Sequence, residues 1–466
     1  MVVMRKVAII LLITLMPLLV YNLPLSFATN ASNGYRRDLI KDFNYFEESV
    51  IISKSNLMVN GRSSHWAFWT IMVYVDADNN LEPAGVSDIN EMEMVGSTPL
   101  VNVLAFVDWW LYKDGGEVYY ITHDEDPDVI TSPIVREVPE PNMGDPGTLA
   151  DFIQWTVKNY PAYHYMLILW DHGSAWEGIC WDANGKIDEE GWPVYEDYLT
   201  ADEVDYALEK SGVHFDIIGF DACLMGNLEM VYEIREHTQI VVGSEDVEPF
   251  EGWPYDRVLS LVADYPWVFP SKFAKWITEQ YVEDYVDELG IKYVTMSAIR
   301  TCHMAIVKFT LDKFAQYLEA ALQRYRPIVE ECINSAEHYY YIKIYNYTTG
   351  ELIGEDIYYY IDLYHFAQLI ATNFKNRMPG LYIIAKTLIF TLKLSIIAEE
   401  HGPAPWIIEL PEYDVIYYVM NHPNSHGLTI FVPTAEDWPL YQESYAQLEL
   451  AQATHWDEFL QQLFIQ

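Results

Sequence analysis

Residues 165–176 read YMLILWDHGSAW, and residues 215–226 read FDIIGFDACLMG. In both stretches a short apolar run ends at an aspartate, and small residues then begin a turn. Short apolar runs of this length are typical of strands that are buried on both faces, as in a parallel sheet. The two stretches therefore predict central strands of an α/β fold, each ending in a polar turn.

The same pattern extends on both sides of these stretches, where apolar runs alternate with segments of helical period. The predicted strands are Trp69–Val75, Val101–Val107, Tyr165–Trp170, Phe215–Phe220 and Ile240–Gly243, and the predicted helices are Asp88–Val95, Leu149–Lys158 and Thr200–Ser211. Thr200 with Glu203 forms a capping-box pattern at the start of the last helix. Strands alternating with helices predict a mostly parallel sheet with right-handed crossovers, whose active site lies at the carboxyl ends of the strands.

The second half of the chain has a different character. Helical patterns cover Lys272–Leu289, Met304–Arg326 and Ile361–Phe374, and a late apolar strand, Gly427–Val432, precedes a terminal helix. We therefore divide the chain into an α/β domain at 66–262 and a helix-rich C-terminal subdomain at 263–466.

The N-terminus has the features of a targeting signal. Arg5 and Lys6 precede an apolar run over 7–20, and Ser26-Phe27-Ala28 is a small-x-small cleavage pattern. The prediction is a signal peptide at 1–28 and an N-terminal extension or pro-segment at 29–65. The protein is then secreted or held at the extracellular cell surface, and it contacts a membrane only if this segment stays uncleaved.

The charge balance narrows the possible partners. The chain has 69 acidic and 27 basic residues, a formal charge of −42. Such a charge repels phosphate backbones and anionic membranes, so nucleic acid is excluded as a partner, whereas basic peptides and divalent cations are attracted.

Four cysteines are too few for a disulfide scaffold in a chain of 466 residues. A bridge between Cys302 and Cys332 is left open.

Two of the strand ends carry residues that suit nucleophilic catalysis. Cys223 follows one predicted strand and His172 follows another. Thiol attack on an amide needs a thiolate, an imidazole to carry protons, and donors for the developing oxyanion. Gly173 offers an N–H without a side chain to obstruct it, and Cys223 offers a second N–H where we expect a helix to begin at Leu224.

These motifs resemble a known family. Residues 171–176, DHGSAW, and residues 221–226, DACLMG, are similar to the two catalytic blocks of the clostripain family of cysteine peptidases, which belongs to the clan of caspases, legumains, gingipains and separases. Residues 69–81 and 243–255 resemble further family blocks, and 427–433 is similar to a late family strand. The resemblance is strong over 66–261 and faint afterwards, and Ala175 stands where family members often have Gly.

The resemblance implies a caspase-like three-layer sandwich and a set of residue roles. Cys223 matches the family nucleophile, and His172 matches its acid/base partner in a dyad that needs no third residue. The N–H groups of Gly173 and Cys223 match the oxyanion hole. Asp221 matches the acid that pairs with a substrate Lys or Arg, and its alternative role is a strand-end cap. The implied partners are peptides and proteins with basic residues.

The loop after the histidine strand carries two further predictions. Family members are often activated by self-cleavage there, and Lys186–Ile187 is the bond that an enzyme with a basic preference would cut. No cofactor is required by the dyad. Calcium is possible, because some relatives use it and this loop is acidic at Asp182, Asp188, Glu189 and Glu190, although the spacing is not that of an EF-hand.

Two other functions compete with the peptidase. A metal-dependent hydrolase would use Asp76, Asp78, Asp171 and His172 as hard ligands, but it does not explain Cys223 at a third strand end. The second competitor is an inactive, peptidase-like surface module, which predicts a lost nucleophile or base.

Overall fold

The structure is a computed structural model that describes residues 66–113, 115–188, 192–356 and 359–464. The predicted signal peptide and N-terminal extension lie outside these residues. Ala67–Gln466 form one compact unit. The division predicted between 262 and 263 stays a prediction, and strands from both sides of it pair in one sheet, Thr238–Gly243 with Thr295–Arg300.

The described strands lie in four sheets. In chain order they are β1 (Ala67–Ala77), β2 (Val101–Trp109), β3 (Gly116–Tyr120), β4 (Ile134–Val138), β5 (Ala162–Trp170), β6 (Ile179–Asp182), β7 (Asp197–Leu199), β8 (Phe215–Asp221), β9 (Thr238–Gly243), β10 (Thr295–Arg300), β11 (Ile342–Asn346), β12 (Leu352–Asp356), β13 (Tyr360–Asp362), β14 (Ile396–His401), β15 (Trp406–Leu410), β16 (Val415–Val419) and β17 (Thr429–Phe431). The main sheet has nine strands in the order β14-β10-β9-β8-β5-β1-β2-β3-β4. Its five central strands, β9, β8, β5, β1 and β2, are parallel, which confirms the predicted mostly parallel sheet.

Helices cover both faces of this sheet. In chain order the helices are α1 (Glu82–Glu93), α2 (Pro146–Asn159), α3 (Ala201–Ser211), α4 (Leu228–Glu233), α5 (Tyr255–Asp264), α6 (Pro270–Glu283), α7 (Met304–Asn334), α8 (Leu363–Phe374), α9 (Pro379–Ser395), α10 (Trp438–Tyr445), α11 (Glu449–Ala453) and α12 (Trp456–Phe464). Phe152 of α2 packs on Tyr74, whereas Gly85 of α1 lies against Val75. Adjacent strand residues point to opposite faces, so α1 and α2 cover different faces and the sandwich has three layers.

Two helix starts show how local sequence acts. The predicted capping box is confirmed, because the Glu203 carboxylate accepts hydrogen bonds from the N–H and the hydroxyl of Thr200 at 3.1 and 2.9 Å. The helix expected to begin at Leu224 begins instead at Leu228, after an Asn227 cap. Leu224 has a φ of 67°, in the left-handed region that ends or precludes a helix. The prediction that Cys223 enters a helix is therefore wrong.

The C-terminal part is helix-rich, as predicted, and it also contains a small sheet. Helices α7, α8, α9 and α12 pack together. Strands β12, β11, β16 and β15 form a separate antiparallel sheet that the sequence analysis did not predict. The late strand is confirmed in a shorter form as β17, which pairs with β13.

Among the described residues, no helix combines the length and the apolar character needed to cross a bilayer. All four cysteines are free, with Cys302 exposed and Cys332 buried, so the bridge left open between them is not formed.

Candidate active site

Strand pairing brings the two predicted catalytic turns together. Trp170 at the end of β5 pairs with Asp221 at the end of β8, and the N–H of Asp171 donates to the Asp221 carbonyl at 3.3 Å. His172 and Cys223 each lie two positions beyond these paired residues, at the carboxyl edge of the sheet. The structure therefore brings the turn that carries His172 into contact with the turn that carries Cys223.

Gly173 fills the contact between these turns. A Cβ added at this glycine would lie 2.4 Å from the Cys223 carbonyl oxygen and 3.0 Å from the Cys223 nitrogen. Only a residue without a side chain fits that approach. Within the described part of the chain, neither the Gly173 nor the Cys223 N–H donates to a protein acceptor. Both donors remain available to an oxyanion.

The half-buried Cys223 thiol lies against the backbone of Glu248. Its Sγ accepts a hydrogen bond from the Glu248 N–H at 3.3 Å and lies 3.8 Å from the Glu248 carbonyl oxygen. Burial raises the pKa of this thiol to about 12, and the nearby Glu248 carboxylate adds to the rise while the N–H opposes it. The sulfur at rest is a neutral thiol.

His172 is held by a residue of the first strand end. Its Nε2 lies 3.1 Å from the Asn80 Oδ1, and that oxygen also accepts a hydrogen bond from the Tyr195 hydroxyl at 3.0 Å. Burial lowers the pKa of His172 to about 4, so the ring is neutral at neutral pH. Because Nε2 donates to the amide oxygen, Nδ1 carries the lone pair and can accept a proton.

Asp171 organises the loops around the histidine without touching its ring. Its buried carboxylate accepts hydrogen bonds from the Asn79 side chain at 2.7 Å and from the Trp181 N–H at 2.5 Å. Burial raises the pKa of Asp171 well above its usual range. Asp171 thus ties the turn of Asn79 and Asn80 to strand β6.

Asp221 lies next to Cys223, beneath the segment 252–255. Its carboxylate accepts hydrogen bonds from the Tyr255 hydroxyl at 2.8 Å and from the Trp253 N–H at 3.2 Å. Burial raises the pKa of Asp221 to about 7, and the hydrogen bonds from Tyr255 and Trp253 oppose this rise. Burial also raises the pKa of Glu248, and the charge of the nearby Asp221 adds to this rise. Among the described residues, neither carboxylate oxygen of Glu248 has a hydrogen-bond partner.

The loop predicted for self-cleavage folds back on itself in a short antiparallel pairing at the protein surface. Ile187 pairs with Pro193, and the Lys186 carbonyl accepts a hydrogen bond from the Val194 N–H at 2.9 Å. The Lys186 ammonium pairs with Glu196. The Ile187 side chain is 56% exposed, so the bond lies at the surface.

Among the described residues, the acidic side chains suggested for calcium in this loop do not surround a common point. The Asp182 carboxylate accepts hydrogen bonds from the Met143 and Asn184 N–H groups, and Asp188 accepts one from Trp192. Glu189 and Glu190 lie outside the described residues. A calcium site in this loop stays a prediction.

The ligand set of the rival hydrolase is likewise occupied by hydrogen bonds. Asp171 accepts from Asn79 and Trp181, and the His172 Nε2 faces Asn80. Among the described residues, Asp76 and Asp78 do not group with Asp171 and His172 around a possible metal position.

Sequence reasoning missed three residues of this site, namely Asn80, Tyr195 and Glu248. Asn80 had a usable signal, because it stands in the polar turn directly after β1. Glu248 lies in an irregular segment after β9 and has no periodic pattern. At Ala175 the structure explains why relatives often have Gly, since this residue has a φ of 55°.

Comparison with known proteins gives one family. A family model described as the clostripain family matches residues 73–463. Clostripain from Hathewaya histolytica is 32% identical over 258 residues, which is 48% of this chain and 46% of clostripain. The match thus spans less than half the length of that curated relative.

Solved structures show the same fold. A secreted C11 cysteine protease from Bacteroides thetaiotaomicron, determined with an irreversible peptide inhibitor, is 18% identical with a TM-score of 0.59, covering 84% of this chain and 100% of that one. An inactive zymogen C11 protease from Parabacteroides distasonis is 18% identical with a TM-score of 0.58, covering 85% and 99%. These likenesses confirm the predicted fold class.

Proposed function

Because this chain belongs to the clostripain family, a family of cysteine endopeptidases, we propose that it hydrolyses peptide bonds with Cys223 as nucleophile and His172 as general acid and base. The observation that supports the proposal is the β5–β8 register, which brings the turns that carry these residues together, with Gly173 against the Cys223 backbone. We prefer this function to the metal-dependent hydrolase and to the inactive module, because the chain belongs to this family and both reactive residues are present.

The reaction runs through a thioester. The Cys223 sulfur bonds to the substrate carbonyl carbon while its proton passes to the His172 imidazole, and the carbonyl electron pair moves to oxygen. The N–H groups of Gly173 and Cys223 stabilise that oxyanion. When the C–N bond breaks, the imidazolium gives its proton to the leaving amine. Water, deprotonated by the same imidazole, then hydrolyses the thioester and restores the thiol.

The resting site is poised but not ionised. A thiol pKa of about 12 and an imidazole pKa of about 4 mean that the thiolate–imidazolium pair is disfavoured before substrate arrives. The Glu248 N–H already donates to Sγ and would stabilise a developing thiolate. Proton transfer from Cys223 to His172 therefore accompanies attack rather than preceding it.

We propose a preference for cleavage after Lys or Arg. Asp221 and Glu248 form a buried acidic pair beside the nucleophile, and no ion pair among the described residues neutralises either of them. A guanidinium or ammonium supplies the missing charge, and Arg can bind a carboxylate bidentately. A neutral side chain leaves the acids unpaired, which gives strong rejection.

Short fluorogenic peptides that differ only in Arg, Lys, Asp or Leu before the scissile bond test both proposals. We expect the Arg and Lys peptides to be cleaved with a kcat/KM at least about 100-fold above the Leu peptide. Cys223→Ala should abolish cleavage of all four. A preference for Leu or Asp would contradict the specificity, and a fully active Cys223→Ala would contradict the mechanism.

Self-processing at Lys186–Ile187 is a further part of the proposal. The exposed position of this bond supports it, and the hydrogen bond from Val194 to the Lys186 carbonyl has to open before attack. Mass spectrometry of the wild type, Cys223→Ala and Lys186→Ala tests it. Fragments at this bond should appear in the wild type alone, and equal fragments in Cys223→Ala would rule out self-processing.

We also propose that the protein is exported, as the predicted signal peptide implies. N-terminal sequencing of protein recovered from the medium and from the cell surface should find a chain that begins at Thr29. An intact N-terminus on membrane-bound protein would indicate an uncleaved anchor instead.

A further inference from the structure

A buried ion pair joins the C-terminal part of the chain to the segment that contacts the nucleophile. The His422 Nε2 lies 2.5 Å from the Asp246 Oδ2, and both side chains are 0% exposed. His422 lies three positions after β16, and Asp246 lies three positions after β9. Two residues that are 176 positions apart in the sequence therefore meet inside the protein.

Asp246 reaches the nucleophile through the backbone around it. Its carbonyl accepts a hydrogen bond from the N–H of Leu224, the residue after Cys223, at 3.0 Å. Leu224 has a left-handed φ of 67°, which a residue with a side chain keeps only where the surrounding structure holds it. Two residues beyond Asp246, the Glu248 N–H donates to the Cys223 Sγ at 3.3 Å. The segment 244–248 therefore fixes the turn after the nucleophile and supplies a donor to its sulfur.

The Asp246 carboxylate is also the point at which the small antiparallel sheet is attached. Its Oδ1 accepts a hydrogen bond from the Tyr340 N–H at 2.7 Å, while its Oδ2 faces His422. Tyr340 lies just before β11 and His422 just after β16, and these two strands pair in that sheet. In the described part of the chain, His422 is the one basic side chain that pairs with Asp246.

The neighbouring Glu245 strengthens this connection. Its buried carboxylate accepts hydrogen bonds from the Gly427 N–H at 2.9 Å and from the Ser425 hydroxyl. The segments 422–427 and 244–248 are therefore joined at consecutive residues, so a displacement of one segment moves the other.

His422 carries the positive charge of this connection. Its Nδ1 lies 3.6 Å from the Glu337 Oε1, so an acid faces each ring nitrogen, and the ring packs on Tyr339 with centroids 4.7 Å apart. Burial opposes ionisation of the ring, but the charges of Asp246 and Glu337 outweigh burial and raise the pKa of His422 to about 9. The ring is thus an imidazolium at neutral pH. It compensates the buried Asp246 carboxylate, whose charge would be costly alone.

We propose that His422 is a positioning residue for the peptidase reaction, acting through Asp246 on the turn of Cys223. This inference rests on the proposed function. The ion pair keeps the segment 244–248 in place, so that the turn presents the Cys223 N–H to the oxyanion and the Glu248 N–H stays on the sulfur. The C-terminal part of the chain thereby takes part in catalysis through its effect on the nucleophile.

Kinetics with the Arg peptide separate positioning from simple stabilisation. We expect His422→Leu to lower kcat about 100-fold with KM nearly unchanged, because the thiol and the oxyanion donor lose their alignment. His422→Gln keeps a donor to Asp246 but carries no charge, and its kcat should fall only about 10-fold. His426→Leu, in the same segment, removes a ring that stacks on Tyr364 and is the matched control with wild-type kcat.

Two results would overturn the proposal. One is a lower Tm of His422→Leu with a wild-type kcat at temperatures where the variant is folded, since a merely structural ion pair predicts this combination. If His422→Leu does not fold, His422→Gln decides, and a wild-type kcat in this variant is the second result.

A further measurement needs no substrate. The rate at which iodoacetamide alkylates Cys223 at about pH 8, read by peptide mapping, reports how far the site stabilises the thiolate. His422→Leu should slow this rate at least about 10-fold, because the Glu248 N–H no longer stays on the sulfur. If the slowing is found and the wild type cleaves no peptide, the positioning stands and the proposed function fails. An equal or faster rate in His422→Leu would overturn the positioning, whatever the wild type cleaves.

Discussion

His172 shows how one side chain is prepared by its surroundings. Its ring is neutral because burial lowers its pKa to about 4, and Asn80 selects the tautomer by facing Nε2 at 3.1 Å. The resulting lone pair on Nδ1 is what a general base requires. In the proposed mechanism, a residue remote in sequence thus prepares the imidazole to take the thiol proton.

Removing this support should lower the rate of catalysis while leaving binding nearly unchanged. We expect Asn80→Ala to reduce kcat about 10-fold with little change in KM, because the ring loses its orientation and tautomer preference. Tyr195→Phe, which removes only the second hydrogen bond to the Asn80 oxygen, is the matched control and should have a smaller effect. A rise in KM with kcat unchanged in Asn80→Ala would contradict a positioning role.

The sequence predicts site residues that directly follow strands, but it does not predict site residues that lie in irregular segments. His172 and Cys223 were predictable, because parallel strand ends converge at one sheet edge. Glu248 was not predictable, since its contact with Cys223 depends on the path of an irregular segment 25 residues later. The left-handed Leu224 was also missed, because its conformation arises from close packing of the turn rather than from local propensity.

Among the elements, helix α4 links the two parts of the chain. Glu229 of this helix accepts hydrogen bonds from the Phe431 N–H of β17 at 2.9 Å and from the Tyr445 hydroxyl of α10 at 2.7 Å. Trp176, in the turn after His172, also packs edge-on against Phe431 and Tyr445. The late strand and helix therefore support the loop that carries the histidine.

The buried Glu229 makes stability depend on pH. Burial raises its pKa to about 7, above the unfolded value near 4.5, so its contribution is complete below about 4.5 and is lost as the pH rises through about 7. Between pH 5 and pH 8, Glu229 should lower the free energy of unfolding of the wild type by about 3 kcal/mol, and Glu229→Gln should not show this decrease. In thermal unfolding, the Tm of Glu229→Gln should fall less between pH 5 and pH 8 than the Tm of the wild type. Equal slopes of Tm against pH in the two proteins would contradict this prediction. Glu236, whose side chain is 77% exposed, provides the control variant Glu236→Gln.

The predicted elements are those with uninterrupted burial. The five central strands were predictable because apolar runs on both faces leave few alternatives. Strand β14 was not, since it follows helix α9 directly at Ile396 without a Gly or Pro to mark the change. The strands of the small antiparallel sheet are only partly buried, and the sequence analysis did not recognise them, although β16 reads VIYYV.

For the whole molecule, the dominant property is a formal charge of −42. A field of this sign attracts cationic substrates over distances that salt shortens. For two peptides with the same Arg before the scissile bond and net charges of +1 and +4, kcat/KM of the more basic one should fall about 10-fold more between 20 and 500 mM salt. Equal salt dependence would show that the overall charge does not guide substrate.

The central claim is that the sheet brings a reactive thiol and its imidazole together beside an acidic pocket. Labelling with a peptidyl chloromethyl ketone that ends in Lys, followed by peptide mapping, tests it most directly. We predict a single adduct on Cys223, slowed at least about 100-fold in His172→Ala. The matching reagent that ends in Leu should react much more slowly. An adduct on Cys302, or none on Cys223 in protein that cleaves peptides, would contradict the account.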